Sequence, residues 1–227
     1  HLQTLKPYSS ARDDYQGSEG IFLDANENPY GSITRENWNR YPDPYQKALK
    51  DKIAAIKEVA AENLFLGNGS DEPIDLLFRA FCEPGVDHVI INPPTYGMYR
   101  VSADINNVAV NEVLLTTDYQ LDEAALLEAI TEQTKIIFIC SPNNPTGNDL
   151  DLDAIRRVVQ AFKGIVVIDE AYVDFTNRPS FALELDQYPN LVVLQTFSKA
   201  WGLASLRLGM AYASSEIIGI LNKIKPP

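Results

Sequence analysis

From position 43 onward the apolar residues fall into two alternating rhythms. In "DPYQKALKDKIAAIKEVA" Leu49, Ile53, Ile56 and Ala60 recur at helical spacing with lysines on the opposite face, which predicts a surface helix. "NLFLGNGSDEPIDLLFRAFC" predicts a short strand, a glycine-rich turn and a helix, with Ser70 as N-cap, the acids Asp71 and Glu72 and Pro73 marking its first turn. After "EPG" the order reads strand in "HVIIN", helix in "YGMYRVSAD", strand in "NVAVNEVLL", helix in "DEAALLEAI" and strand in "KIIFIC". It continues with a helix in "DLDAIRRVVQAF", strands in "IVVID" and "LVVLQT", and a last helix in "SSEIIGILNKIKPP". Short β-branched runs that alternate with amphipathic helices are what a mainly parallel sheet covered on both faces requires, because such strands are buried on both sides. The predicted fold class is therefore α/β. No period of roughly 20 to 50 residues recurs, so repeat architectures are excluded.

The first thirty residues break this rhythm: Pro, Ser, Gly and Asn are frequent and only "IFLDA" is apolar. An N-terminal arm over 1–30, laid on a neighbouring surface, and a main domain over 31–227 are expected. The two prolines that end the chain favour a connection over a domain end, so a further domain is expected after 227. A length of 227 residues with 45% hydrophobic content allows a sizeable core. Thirty-one acidic against nineteen basic residues give a net charge of −12, which argues against nucleic acid or an anionic membrane as partner. The apolar runs fall short of a membrane span of ~20 residues. No hydrophobic leader precedes "HLQTLKPYSS", so a cytoplasmic location is expected. Cys82 and Cys140 form no CxxC pair and sit near no His at ligand spacing, and both are expected to be buried thiols. His1 and His88 are too few to build a zinc site or a Ser-His-Asp triad around, and no metal is expected.

Four polar clusters sit directly on strand ends: "GNGSDE" on "NLFL", "SPNNPTG" on "KIIFIC", "DEAY" on "IVVI" and "TFSKAWG" on "LVVLQ". In an open parallel sheet the ligand crevice lies at the carboxyl ends of the strands, so all four can converge on one pocket. Singly, each has a plainer reading. "GNGSDE" can cradle a phosphate on backbone N–H groups or be a turn, since it lacks the third glycine of a dinucleotide fingerprint and the Gly-Lys-Ser/Thr of a P-loop. "SPNNPTG" can be a stiff surface turn or an exposed loop that two X-Pro bonds lock so as to present the amide of Asn144. Asp169 ends a buried strand, where a carboxylate needs a positive partner or serves as the N-cap of the next turn; Lys199 can be a solvated surface lysine. Together, a buried carboxylate, a nearby tyrosine, an anchored amide, a lysine and an anion clamp of Thr196, Ser198 and Arg207 form the set that pyridoxal phosphate requires.

The ordered motifs "NNPTG", "DEAY", "SK" and "RLG" resemble those of the fold-type I aminotransferases, and the resemblance covers the whole chain. Within that superfamily "LDANENPYG", "RYPDP", "LGNGSDE", "RAFCEPG", "PPTYGMY", "DEAYVDF" and "TFSKAWGLASLRLG" resemble the histidinol-phosphate aminotransferase family. The resemblance implies amino transfer between L-histidinol phosphate and 2-oxoglutarate, giving imidazole acetol phosphate and L-glutamate in histidine biosynthesis. It implies Lys199 as the Schiff-base lysine, Asp169 as the pyridinium partner, and Tyr172 and Asn144 on the cofactor's phenolic oxygen. Tyr96 would stack on the ring, and Ser70, Asp71, Thr196, Ser198 and Arg207 would hold the phosphate. Tyr41 would reach the phosphate across a homodimer interface, and Glu27 and Asn28 would line the substrate side with Asn144. A lysine that carries protons near neutrality must lie well below its ordinary ~10.4, and Arg207 with an apolar pocket is expected to push Lys199 that way. The family's C-terminal small domain, which supplies an arginine for the substrate carboxylate, is absent up to residue 227. The rivals are a threonine-phosphate decarboxylase, distinguished by carbon dioxide release in place of glutamate formation, and a noncatalytic cofactor-binding module.

Overall fold

In the computed structural model, which describes residues 2–5, 20–21 and 23–226, the helices and strands keep to the expected alternation. Helix α1 is Lys47–Lys57, strand β1 Leu64–Asn68, α2 Asp71–Phe81, β2 His88–Ile91, α3 Met98–Ile105 and β3 Ala109–Glu112. Then come α4 Glu123–Glu128, β4 Thr134–Cys140, α5 Leu152–Ala161, β5 Ile165–Asp169, β6 Leu191–Thr196, β7 Leu208–Ala213 and α6 Ser215–Ile224. Most of the expected arm over 1–30 lies outside the described residues; its described members Ile21 and Leu23 are exposed. No helix among the described residues is long and apolar enough to cross a membrane.

The seven strands form one sheet in the order β1-β7-β6-β5-β4-β2-β3. β3, β2, β4, β5 and β6 pair in parallel, while β7 is antiparallel to both β6 and β1. β1 therefore runs in the same direction as the parallel set, and β7 alone is reversed. Side chains alternate across a strand, and the core divides accordingly. Ile137, Ile139, Val166, Ile168 and Val193 pack with Ile155, Val158 and Phe181 on one face. Phe138, Val167, Val192 and Leu194 pack with Ile74, Phe78, Tyr99 and Ile217 on the other.

The structure corrects several expectations. β7 was not foreseen, because "LGMAYA" mixes glycine and alanine with larger residues and lacks the β-branched run that signals a strand. Its small residues are what the packing needs, since Ala211 and Ala213 face the layer of α2 and α6. The first helix begins at Lys47 because residues 43–46 form a turn, with the Asp43 carboxylate accepting from the N–H groups of Tyr45 and Lys47 at 2.9 Å each. Only Ile53 and Ala54 of that helix are buried; Leu49 and Ile56 are exposed, and Ala60 lies beyond its end. Ser70 occupies the N-cap position without a side-chain cap bond, and the Glu72 carboxylate of the first turn reaches back to accept from the Asn68 N–H at the end of β1. Cys140 is buried but Cys82, at the end of α2, is only half-buried.

The layer of α2 and α3 meets the sheet at Phe138, which stacks on Phe78 at 5.5 Å and on Tyr99 at 4.8 Å between ring centroids. Replacing Phe138 with alanine removes both stacking partners at a fully buried position and should cost about 3–5 kcal/mol. Equilibrium denaturation of the full-length protein checks this, and a loss below ~1 kcal/mol would mean that the site collapses around the void.

Candidate active site

With β7 alone reversed, the carboxyl ends of the other strands gather at one edge of the sheet, and β7 starts from that same edge. Alternation then places the side chains of Cys140, Asp169 and Thr196, at the ends of β4, β5 and β6, on one face. They floor a pocket of about 210 Å³ that is also lined by Gly69, Ser70, Asp71, Tyr96, Asn144, Ala171, Tyr172, Ser198, Lys199 and Arg207. All four sequence clusters thus meet. Tyr41, Glu27 and Asn28 do not join them within this chain. Tyr41 is 69% exposed, its N–H donates to the Glu27 carboxylate, and that carboxylate also pairs with Arg40 at 2.8 Å. The Asn28 side chain accepts from the Tyr30 N–H at 3.0 Å.

One end of the pocket is built to receive an anion. Gly69, with φ +74°, donates its N–H to the carbonyl of Arg207 at 2.7 Å, which draws the turn after β1 against the start of β7. The approach is closer than any side chain allows. A Cβ at Gly209 would lie 2.1 Å from the Gly69 carbonyl carbon, and one at Gly69 would lie 2.6 Å from an Arg207 guanidinium nitrogen. The Ser198 N–H donates to the Thr196 hydroxyl at 3.1 Å, and the two hydroxyls lie 3.0 Å apart. The guanidinium, two hydroxyls and the start of α2 therefore share one concavity, and the helix end favours negative charge.

The other end holds a buried carboxylate. Asp169 is 3% exposed, and the positive partner expected for it is not among the described residues. It accepts instead from the Tyr99 hydroxyl at 2.7 Å and from the Ala171 N–H at 3.0 Å. Burial pushes its carboxyl up to about 6, against the pull of these two hydrogen bonds, with Asp71 and Glu170 adding repulsion. Tyr99 was missed in the sequence although its signal was present. In "PTYGMY" it stands three residues after Tyr96, close enough in sequence to reach the same pocket end. Its ring is fully buried, and burial with the neighbouring Asp169 raises its phenol well above the ordinary range. Tyr96 meets the Tyr99 ring edge-on at 5.6 Å and donates to Asp71 at 3.1 Å. Burial, then Asp71, raises the Tyr96 phenol above its ordinary range, and burial pushes the Cys140 thiol up to about 12.

The loop "SPNNPTG" is anchored differently from the expectation of an exposed loop. Ser141, Pro142 and Asn143 are buried, and it is Asn143 that fastens the loop, donating to the Pro94 carbonyl at 2.9 Å and to the Thr146 hydroxyl at 2.7 Å. This leaves the half-buried Asn144 at the pocket. Lys199 stands at the rim, its Nζ 5.5 Å from the centroid of the Tyr172 ring. The apolar surroundings expected for it are not found: the residue is exposed, because it sits in the turn after β6 among polar neighbours. That turn is tied down by Asp174, which accepts from Trp201 Nε1 at 2.9 Å and from Lys57 Nζ at 2.8 Å.

A ligand with a phosphate at one end, a cationic ring nitrogen at the other and a carbonyl within reach of a lysine matches these groups, and pyridoxal phosphate is such a ligand. Asp169, bonded only by neutral donors, suits the ring nitrogen; the cradle of Ser70, Thr196, Ser198 and Arg207 suits the phosphate.

A family model described as aminotransferase class I and II matches residues 19–227. A histidinol-phosphate aminotransferase of Cytophaga hutchinsonii is 62% identical over 227 residues, covering 100% of this chain and 65% of its own length. Its counterpart in Bacteroides thetaiotaomicron is 60% identical over 228 residues with the same coverages, 100% and 65%. The chain thus spans about 65% of the length of these curated relatives. Among solved structures, the histidinol-phosphate aminotransferase of Sinorhizobium meliloti in complex with pyridoxal-5'-phosphate superposes with a TM-score of 0.75 at 24% identity, covering 82% of this chain and 51% of that one. The L-threonine-O-3-phosphate decarboxylase of Porphyromonas gingivalis superposes with a TM-score of 0.71 at 23% identity, covering 83% and 58%. At these identities the two structures share the fold.

The geometry sets two expected outcomes. Gly69→Ala places a methyl on the Arg207 guanidinium at a left-handed φ, so it should weaken binding of pyridoxal phosphate to the full-length protein at least about tenfold; isothermal titration reads this, and an unchanged dissociation constant would remove the cradle from the site. The second concerns Asp169, whose folded value of about 6 lies above the ordinary 3.8. The folded chain then holds this proton more tightly than the unfolded chain, so the stability associated with it is full below about pH 4 and falls as pH rises through 6. Asparagine can keep both hydrogen-bond partners without the charge. Cofactor-free Asp169→Asn should therefore be more stable than wild type above pH 6 by on the order of 2 kcal/mol, with the difference vanishing below about pH 4 in paired melts.

Proposed function

Because the chain belongs to the aminotransferase class I and II family, we propose that it transfers the amino group between L-histidinol phosphate and 2-oxoglutarate, with pyridoxal phosphate held in the pocket. The observation that carries the proposal is the meeting of Lys199, Asp169, Asn144, Tyr172 and the anion cradle in a single pocket. The specific substrate is supported by the curated relatives at 62% and 60% identity that bear this activity in their names.

When bound, pyridoxal phosphate supplies an electron sink that acidifies the substrate Cα–H. Asp169 holds the ring nitrogen protonated, and Tyr99 keeps that carboxylate aimed. Asn144 and Tyr172 would orient the ring through its phenolic oxygen, Tyr96 would cover its face, and Ser70, Asp71, Thr196, Ser198 and Arg207 would fix the phosphate end. Lys199 Nζ, at the open rim, would anchor the cofactor and, once displaced by the substrate amine, would carry the proton from the substrate Cα to the carbonyl-derived carbon of the cofactor as general base and then acid. A binding module needs the cradle alone; a buried carboxylate set opposite a lysine favours catalysis over that reading.

The working unit is a homodimer in which Tyr41 of a second copy reaches the cradle. The exposed apolar residues Ile33, Trp38 and Tyr41 on one segment support such an interface. Glu27 and Asn28 line the substrate side from the arm, 1–30, with 31–227 as the cofactor domain. The length of the relatives that this chain does not span would contain the small domain and its carboxylate-binding arginine. The cytoplasm is the proposed location, in keeping with a biosynthetic enzyme that carries free thiols.

The test is spectroscopic. Full-length protein with pyridoxal phosphate should show a visible absorption band that Lys199→Ala abolishes, that L-histidinol phosphate bleaches, and that 2-oxoglutarate restores as glutamate appears. Carbon dioxide release from threonine phosphate without glutamate would transfer the reading to a decarboxylase, and a band that no phosphorylated amine disturbs would make the protein a binding module.

A further inference from the structure

Beneath the pocket, on the opposite face of the sheet, lies a buried ion pair to which the proposed reaction assigns nothing. Alternation sends Glu170 and Gln195, each next in sequence to a pocket residue, away from Asp169 and Thr196. The Glu170 side chain is 0% exposed. It accepts from Arg178 at 2.8 Å, from the Phe181 N–H and Gln195 Nε2 at 3.1 Å each, and from the Ser180 hydroxyl.

Arg178 does more than neutralise this carboxylate. Its side chain is 10% exposed, and besides the carbonyl of the adjacent Pro179 at 3.2 Å its guanidinium reaches three groups. Nη1 donates to Glu170, Nη2 donates to the Ser141 carbonyl at 2.7 Å, and Nε donates to the Asp149 carboxylate at 2.8 Å. Ser141 and Asp149 are the two feet of the loop that presents Asn144. Within the loop the Asn143 N–H donates to the Asn148 carbonyl at 2.9 Å and the Gly147 N–H to the Asn143 carbonyl at 2.7 Å, bonds that tie its interior together between those feet. A planar fork can hold both feet and the end of β5 at once; the point charge of a lysine cannot.

We propose that Arg178 is a positioning residue that clamps both feet of the 141–150 loop to Glu170, and so fixes the Asn144 amide relative to Asp169 across the pocket. This rests on the functional reading above, in which Asn144 donates to the cofactor's phenolic oxygen. An amide N–H in that place stabilises the ionised oxygen and keeps the chromophore's proton uptake at low pH. Loosening the loop weakens the bond and moves that midpoint upward. Asp71, Tyr96, Cys140, Asp169, Tyr172, Lys199 and Arg207 also face the pocket, and the clamp variants leave every one of them in place.

The experiment uses full-length protein loaded with pyridoxal phosphate and tracks its visible absorption against pH. Arg178→Lys should raise the midpoint by roughly half to one pH unit, the scale of one hydrogen bond. Asp149→Ala, which frees one foot at a 41% exposed side chain and spares the Glu170 pair, should raise it by less. In an Asn144→Ala background neither change should move it further. Should Arg178→Lys fail to fold, Asp149→Ala carries the comparison. Midpoints equal to wild type, or shifts that persist without Asn144, would overturn the clamp while leaving the functional reading intact. A wild type with no visible band would overturn both.

Discussion

Everything chemical in this molecule depends on the two-residue period of its central strands. At the ends of β4, β5 and β6 that period delivers Cys140, Asp169 and Thr196 to one face, while Glu170 and Gln195 go to the other. Register pins it, since Cys140 lies opposite Asp169 and the flanking Ile139 and Ile168 are both fully buried. A slip by one residue would bury Asp169 among the side chains that surround Ile168 and bring Glu170 into the pocket. The apolar core thus does more than stabilise the sheet, because it decides which carboxylate faces the ligand.

The two neighbouring acids meet opposite solutions to burial. Glu170 is given an arginine and three further donors, so its charge is matched within the chain. Asp169 receives two neutral donors and stays elevated near 6. An unmatched buried carboxylate is unfavourable in the empty protein and becomes favourable when a cationic group arrives. The destabilisation is placed at the single position where a ligand can relieve it.

The legibility of the molecule tracked sequence distance. The strand-end clusters were readable because each motif sits directly on the run that positions it, and the direction of a parallel sheet does the rest. Tyr99 was close in sequence to Tyr96 but was passed over for it. Asn143 was hidden by Asn144, since nothing local says which of two adjacent amides turns inward to Pro94. Arg178 grips residues up to 37 positions away, and no local pattern encodes that. β7 escaped because Gly209 serves a close approach to the Gly69 turn and its alanines serve packing under α2 and α6, which leaves a composition that reads as loop. Tyr41, Glu27 and Asn28 stand apart from the pocket, held within their own segment by the bonds of Glu27 to the Tyr41 N–H and Arg40 and of Asn28 to the Tyr30 N–H.

The contact between Gly209 and the turn at Gly69 also sets an order of events during synthesis. Among the described strands β1 is the first to leave the ribosome and β7 follows all the others, with the five adjacent parallel strands made between them. Asp169, Thr196, Ser198 and Lys199 all emerge before Arg207 and Gly209, so the anion-receptive concavity lacks its guanidinium and its closing glycine contact until then. The concavity is therefore completed only as β7 inserts between β6 and β1, at the same step that closes the sheet.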